Sequence, residues 1–487
     1  MKKRIISIVL AICLLFSCVP ITVFAADGPG GEHDFHELLK NLKSGNTITL
    51  DKDYKCALGF DVGKNATIDL NGHVMYFTGQ DHRFRIGFDQ YQNKTLTIKD
   101  SNPNAIHSDA QLAKLGISRE NLPADVKGGV IVAPGGSSGG GGAVYISEGS
   151  TLNLEGGTIY NCNTTGYGGA VYALGKFNMS GGTISNCKAS KSGGAICIKS
   201  PDVFTMSGGT IKNCSANESG GAVYNEKSFT MSGGTISNCK AVQFGGAVSN
   251  VASFTMTNGN IKDCSAPIGG GVFTGGTFTM NGGTISNCNA VQFGGGVYNL
   301  KASTSAGKFT LDGGTIKNCN ADKGAGVANI SSDNDVADFT MNSGTIDNCN
   351  ATSIGGGLYN EETGVSTMNG GTIKNCSANI GGGVIISGGG MIDESTGEII
   401  PTSSTINTKC KFNMNGGSIE NCRATSNNTK GYGGGVLAFY ATFTMNNGTI
   451  KIARRLIKKA LLSVCLQMLL CMQTAVVFTV NPLYSVK

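Results

Sequence analysis

Between Gly141 and Lys451 the chain alternates apolar and polar residues in bursts of three to five, each closed by glycine. Phe204-Thr205-Met206 alternates at period two, Gly208-Gly209 interrupts, Thr210-Ile211-Lys212 alternates again, and Gly220-Gly221 opens Ala222-Val223-Tyr224. Period-two alternation predicts half-buried strands, and the paired glycines predict the turns between them. No helical period breaks the pattern. Three short strands with glycine corners make one triangular coil, with Phe, Met, Ile and Val pointing inward and their neighbours pointing out.

The pattern repeats as F-T-M-x-G-G-T-I-x-N-C-x-A, a spacer, then G-G-[AG]-V-Y. Its cysteine falls at Cys162, Cys187, Cys214, Cys239, Cys264, Cys288, Cys319, Cys349, Cys376 and Cys422, so ten copies fill most of 141–451. A unit near 25 residues also suits a leucine-rich repeat or a propeller fragment, and the strand-only alternation decides between them. The predicted fold is all-β: a right-handed parallel β-helix (β-solenoid) with a short N-terminal capping helix. Eleven coils stacked at the strand spacing give a rod of roughly 50 Å.

The pairing of GGAV (Gly168 to Val171, Gly220 to Val223, Gly245 to Val248) with F-x-x-N (Phe278 to Asn281, Phe339 to Asn342, Phe412 to Asn415, Phe443 to Asn446) carries a more specific likeness. It resembles the GGA[IVL] and FxxN repeats of polymorphic outer-membrane-type adhesins, within the broader right-handed β-helix repeat proteins. The resemblance implies surface display and adhesion to a host or matrix protein or a glycan surface, without naming a receptor. Such adhesins commonly end in a membrane β-barrel, which no segment here resembles.

Segments outside the array divide the rest. Residues 1–26 place Lys2, Lys3 and Arg4 before the apolar run Ile5 to Phe24 and end at Val23-Phe24-Ala25, which predicts a signal peptide cleaved after Ala25 or Ala26 and an extracellular or cell-surface location. Leu15-Phe16-Ser17-Cys18 is the lipoprotein alternative, weakened by the bulky Phe16. Residues 27–140 are expected to cap the rod and form irregular first coils. Asp34 and Glu37 open a helix whose apolar residues Phe35, Leu38, Leu39 and Leu42 recur at helical spacing up to Gly45. Thr47 to Leu50, Ala66 to Leu70 and Thr95 to Ile98 read as early strands, and 103–126 as an excursion with a helix around Gln111 to Leu115.

Composition narrows function. Glycine numbers 74 of 487 residues, proline only 9, and charged residues make up 14%, which excludes a helical rod, a collagen and a charge-swollen disordered chain. Of the formal +6, three charges lie in residues 1–26 and six in 451–487, leaving 27–450 at −3. That body offers no nucleic-acid footprint.

The thirteen cysteines outside 1–26 and 452–487 form an odd set, and the repeated one is expected to be a ladder of small buried thiols rather than disulfides. All five histidines precede the repeats and no C-x-x-C pair occurs, so neither metal nor cofactor is expected. The asparagine before each cysteine, as in Asn186, Asn213 and Asn238, is expected to form a hydrogen-bonded corner ladder.

Three outward faces are candidates for binding. Tyr145, Tyr172, Tyr224, Phe273, Tyr298 and Tyr359 follow the G-G-x-V valine, and alternation turns them out as an aromatic column able to stack on sugars or protein side chains. The threonine column (Thr183, Thr210, Thr235, Thr284, Thr315) has outward neighbours that alternate among Ser, Lys and Asp, which argues against ice binding. Past Tyr298, insertions at one corner collect Asp333, Asp335, Asp338, Glu361, Glu362, Asp393 and Glu394. This acidic edge supports the alternative of a polysaccharide lyase or hydrolase, with calcium or substrate held by the loops.

Residues 452–487 depart from the pattern. Thr449-Ile450-Lys451 is followed by Ile452-Ala453-Arg454-Arg455 where N-C-x-A is due. As a membrane anchor the tail is disfavoured, since Gln467 and Gln473 interrupt it and its basic cluster precedes it. Codons AAA ATT GCA AGG CGN for Lys451 to Arg455, with one A restored, would read Lys-Asn-Cys-Lys-Ala. The tail is therefore read as a frameshift product.

Overall fold

The computed structural model describes residues 45–451 together with Phe35 and Glu37, except 80–83, 89–90, 200–202, 303–305, 332–334, 390, 393–398, 401–408 and 426–432. It is a right-handed parallel β-solenoid. The F-T-M strands form a first sheet of 14, from Thr47–Thr49 to Thr442–Met445, and the T-I-x strands a second of 14, from Tyr54–Cys56 to Thr449–Lys451. The V-Y strands form another of 13, from Phe60–Val62 to Val436–Phe439.

The coil is not a triangle, however. A further sheet of 10 strands, from Asn163–Thr164 to Arg423–Ala424, follows the Asn-Cys corner and makes four faces per coil. Its early strands are two residues long, as in Lys188–Ala189, too short to show alternation. In chain order the faces are called the first, second, third and fourth. The first reaches 14 strands because the predicted early strands Thr47–Thr49, Ala66–Asp69 and Thr95–Lys99 join it in parallel register, and the second because Tyr54–Cys56, Val74–Phe77 and Val130–Val132 join it likewise. At the strand spacing this makes a rod of about 60 Å rather than 50 Å.

Inward side chains stack as pure columns. Phe177, Phe204, Phe229, Phe254, Phe278 and Phe309 lie with ring centroids 4.6–4.8 Å apart at 3–14° between planes. Methionine, isoleucine and valine columns fill the remaining core, fully buried. The thirteen described cysteines are buried, and the repeated ones are thiols that donate to the carbonyl two residues back, as Cys214 Sγ does to Lys212 at 3.2 Å. Burial pushes the thiols of Cys187, Cys214, Cys239 and Cys264 well above their ordinary range.

The corner asparagines owe their identity to backbone geometry more than to side-chain laddering. Asn161, Asn186, Asn213 and Asn238 have φ of 49–55°, and Asp263 takes the same place at 57°. Asparagine and aspartate tolerate this left-handed conformation better than other side chains with a Cβ. Side-chain links occur only in places, such as Asn348 Nδ2 to Asn318 Oδ1 at 3.0 Å. A continuous ladder does run along the F-x-x-N position, where Asn369, Asn415 and Asn446 each donate to the coil before at 2.7–2.9 Å. Glycine at the first turn is required twice over. Gly209 has φ of 76°, and a Cβ there would sit 2.7 Å from Met179 Cε.

At the N-terminal end Phe35 and Glu37 are helical, and Phe35 is buried edge-on to Phe60 with centroids 4.9 Å apart. The excursion carries the helix Asp109–Leu115, closed by a Ser108/Gln111 capping box and a left-handed Gly116. Its Leu112 and Leu115 pack with Ile117 and Leu122 on Val74, Val130, Val132 and Tyr160, outside the main core.

Candidate functional site

The outward column of the fourth sheet, read by strand register, runs Asp61, Arg85, Tyr145, Tyr172, Cys197, Tyr224, Ser249, Phe273, Tyr298, Ala328, Tyr359, Ile385, Leu437. All six aromatic candidates therefore stand on one line. They do not share one environment.

In the first half the rings are half-buried and open to one side. Tyr145 and Tyr172 stack at 5.6 Å and 17°, and Phe88 meets Tyr145 edge-on at 6.3 Å. Arg85 lies 4.5 Å over Phe88 and holds Asp61 through two hydrogen bonds of 2.6 and 2.8 Å. Lys199 Nζ reaches Glu226 Oε1 at 2.7 Å while lying 4.5 Å from the Tyr167 ring and 5.9 Å from Tyr224. Burial outweighs other influences on these phenols, raising the pKa of Tyr145 and Tyr172 and pushing Tyr224 up to about 12, so their hydroxyls stay protonated donors at neutral pH. The result is a row of half-buried rings flanked by an ammonium, carboxylates and phenol hydroxyls. Such a surface can pack exposed ring atoms against the C–H groups of a sugar and hydrogen-bond its hydroxyls.

In the second half the column is sealed, which removes three predicted residues from the surface. Phe273, Tyr298 and Tyr359 are buried in a separate apolar cluster with Ile354, Ile380 and Ile385, covered by Phe244, Ile268 and Phe293. Phe244 packs on Phe273 at 4.9 Å, and Phe293 stacks on Tyr359 at 6.3 Å across the small Ala328. The cover comes from the residue before the paired glycines, which is Tyr167, Ser192 and Ser219 in earlier coils and Phe244, Ile268, Phe293, Ile354 and Ile380 later. Longer third-sheet strands, such as Asn289–Phe293 and Asn350–Ile354, hold it in place.

The insertions do share the corner from the fourth sheet to the first, but the acids are dispersed there. Asp335 lies 3.9 Å from Lys301 Nζ, Asp338 accepts from Thr340 Oγ1 at 3.1 Å, Glu361 ends its fourth-sheet strand, and Glu362 is exposed at φ 58°. Asp333, Asp393 and Glu394 lie outside the described residues. Among the described residues no group of three or more His, Cys, Asp or Glu is placed to hold a metal ion.

The alternation pattern gives no sign of one further feature. A polar cleft of about 510 Å³ lies between the excursion and the first turns, lined by Asp125, Lys127, Glu155, Thr183 and Lys212. Asp100 at its floor is structural, accepting from Gly72 and Gly129 N–H at 2.7 Å.

Residues 142–314 match the family model for a right handed beta helix region. The match covers the regular coils and agrees with the observed fold. No curated protein and no solved structure matches the chain.

Proposed function

We propose that the chain is an exported bacterial protein, surface-displayed or secreted, that acts by binding as an adhesin for host, matrix or glycan ligands. The signal-peptide pattern of residues 1–26 supports export, and the adhesin-like GGA[IVL] and FxxN repeats support adhesion. The observation that carries the reading is the open stack of Tyr145 and Tyr172, continued by Tyr224 and flanked by Lys199 and Glu226, on a column whose other half is sealed. Parallel β-stacking holds these rings rigid, so little conformational entropy is lost when a ligand lands on them. Glycans fit this chemistry best.

Purified protein incubated with pectins, alginates and host glycans, with and without Ca²⁺, tests it. Retention of at least one glycan without chain cleavage is expected. Cleavage would overturn the binding-only reading in favour of a carbohydrate-active enzyme, and failure to retain any member would overturn the glycan assignment.

A further inference from the structure

We propose that the corner between the second and third sheets is a binding edge for a linear acidic polysaccharide, with one lysine per coil over four successive coils. Lys188 stands on the third-sheet side of its corner, Lys212 on the second-sheet side of the next, Lys240 back on the third and Lys262 on the second. The alternation is set by register. Lys188 pairs with Ser215 and that with Lys240, while Lys212 pairs with Ser237 and that with Lys262. Lys317 continues the second-sheet line beyond Ser286.

All five side chains are exposed, and none forms an ion pair among the described residues. Farther along the same corner the cations are neutralised: Lys374 lies 3.7 Å from Asp347, and Lys451 3.6 Å from Glu420. A run of free cations on a body that nets −3 is a local arrangement, not a general charge. Carboxylates bound it. Asp125 and Glu155 share the cleft that Lys212 borders, and Asp263, which accepts from Asn287 Nδ2 at 3.1 Å, follows Lys262.

The spacing selects the occupant. Parallel rungs lie about 4.8 Å apart, so the edge offers a cation roughly every 5 Å along the rod, alternating between the two sides of the corner. An extended acidic glycan, with one anion on each sugar of about rung length, matches that pitch. Duplex DNA, with a charge per ~1.7 Å on a wound surface, does not. The edge is on a different face from the tyrosine stripe, so the two assignments stand or fall separately.

The test uses the full chain with polygalacturonate, neutral dextran and a DNA duplex, titrated with NaCl. Four contacts at about 0.7 in the salt slope each predict a roughly 50-fold loss of polygalacturonate affinity between 50 and 200 mM salt. The variant K188Q/K212Q/K240Q/K262Q, with an unchanged circular dichroism melt, should bind at least tenfold more weakly and lose most of the salt dependence. The off-row control K227Q/K308Q should bind as the parent does. Unchanged binding by the quadruple variant, equal loss in the control, or DNA or dextran bound as tightly as polygalacturonate would each overturn the proposal.

Discussion

The two halves of the fourth sheet use the same strand, register and outward position for different ends. Around Tyr145, Tyr172 and Tyr224 the residue before the paired glycines is Gly140, Tyr167 and Ser219, Tyr167 itself lying half-buried under Lys191 and Lys199, and the rings stay half-open. Around Phe273, Tyr298 and Tyr359 that residue is Phe or Ile, and the same column becomes the floor of a second core. A repeat thus changes a surface into an interior within one fourth-sheet register, by a larger side chain before the glycines and a longer third-sheet strand that carries it.

The largest expected effect separates the halves by stability. Tyr359→Ala empties a fully buried site and should cost roughly 3 kcal/mol, whereas Tyr172→Ala on the open half should cost only about 1 kcal/mol. Urea unfolding of both variants measures the difference. Equal costs would mean that the open half is packed as tightly as the sealed one.

Titration gives a second contrast. Burial raises the phenol pKa of Tyr224 from 10.0 to about 12, and raises Tyr298 and Tyr359 further. A pKa raised in the folded state means that the neutral hydroxyls contribute stability fully below pH 10, and that this is lost as pH rises through about 12. Tyrosinate absorbance should therefore appear first from the open half, with the sealed tyrosines ionising only as the fold gives way. Simultaneous ionisation of all phenols in folded protein would contradict the burial.

The smallest effect lies at the junction of the halves, on the inner side of the sheet. Asn225 donates to Asn250 at 2.7 Å and Asn250 to Thr274 at 2.9 Å, while Asn299 donates to Asn329 and Asn329 to Asn360 at 2.7 and 2.6 Å. Thr274 breaks the column and leaves Asn299 Oδ1 buried without a donor. Thr274→Asn should supply that hydrogen bond and stabilise by about 1 kcal/mol, read as a raised Tm. A lowered Tm would show that the site has no room for the amide.

Much of this was legible in the residues. Alternation in F-T-M and T-I-K marked the inward columns, and the spacing of Cys162 to Cys422 marked the coils, because a stacked rung must repeat its own chemistry. The early third-sheet strands were not legible, since two residues cannot alternate. Nor was the left-handed corner, because an Asn chosen for its φ looks the same in sequence as one chosen for its hydrogen bonds. That corner bears on the tail. Ile452 occupies the sequence position where earlier coils place a left-handed Asn or Asp, and a β-branched residue suits that conformation worst. The tail itself lies outside the described residues. The sealed half was readable in principle, from the change of Ser219-Gly220 to Phe244-Gly245. Period-two logic alone assigns a residue to the outside without asking what then covers it.

The most direct test sets the halves against each other in binding. Retention of uncharged glycans, which the lysine edge does not hold, should be abolished in Y145A/Y172A/Y224A and kept in Tyr359→Ala, with circular dichroism confirming that both variants fold. Retention by the triple variant, or its loss in Tyr359→Ala alone, would contradict the assignment of binding to the open half.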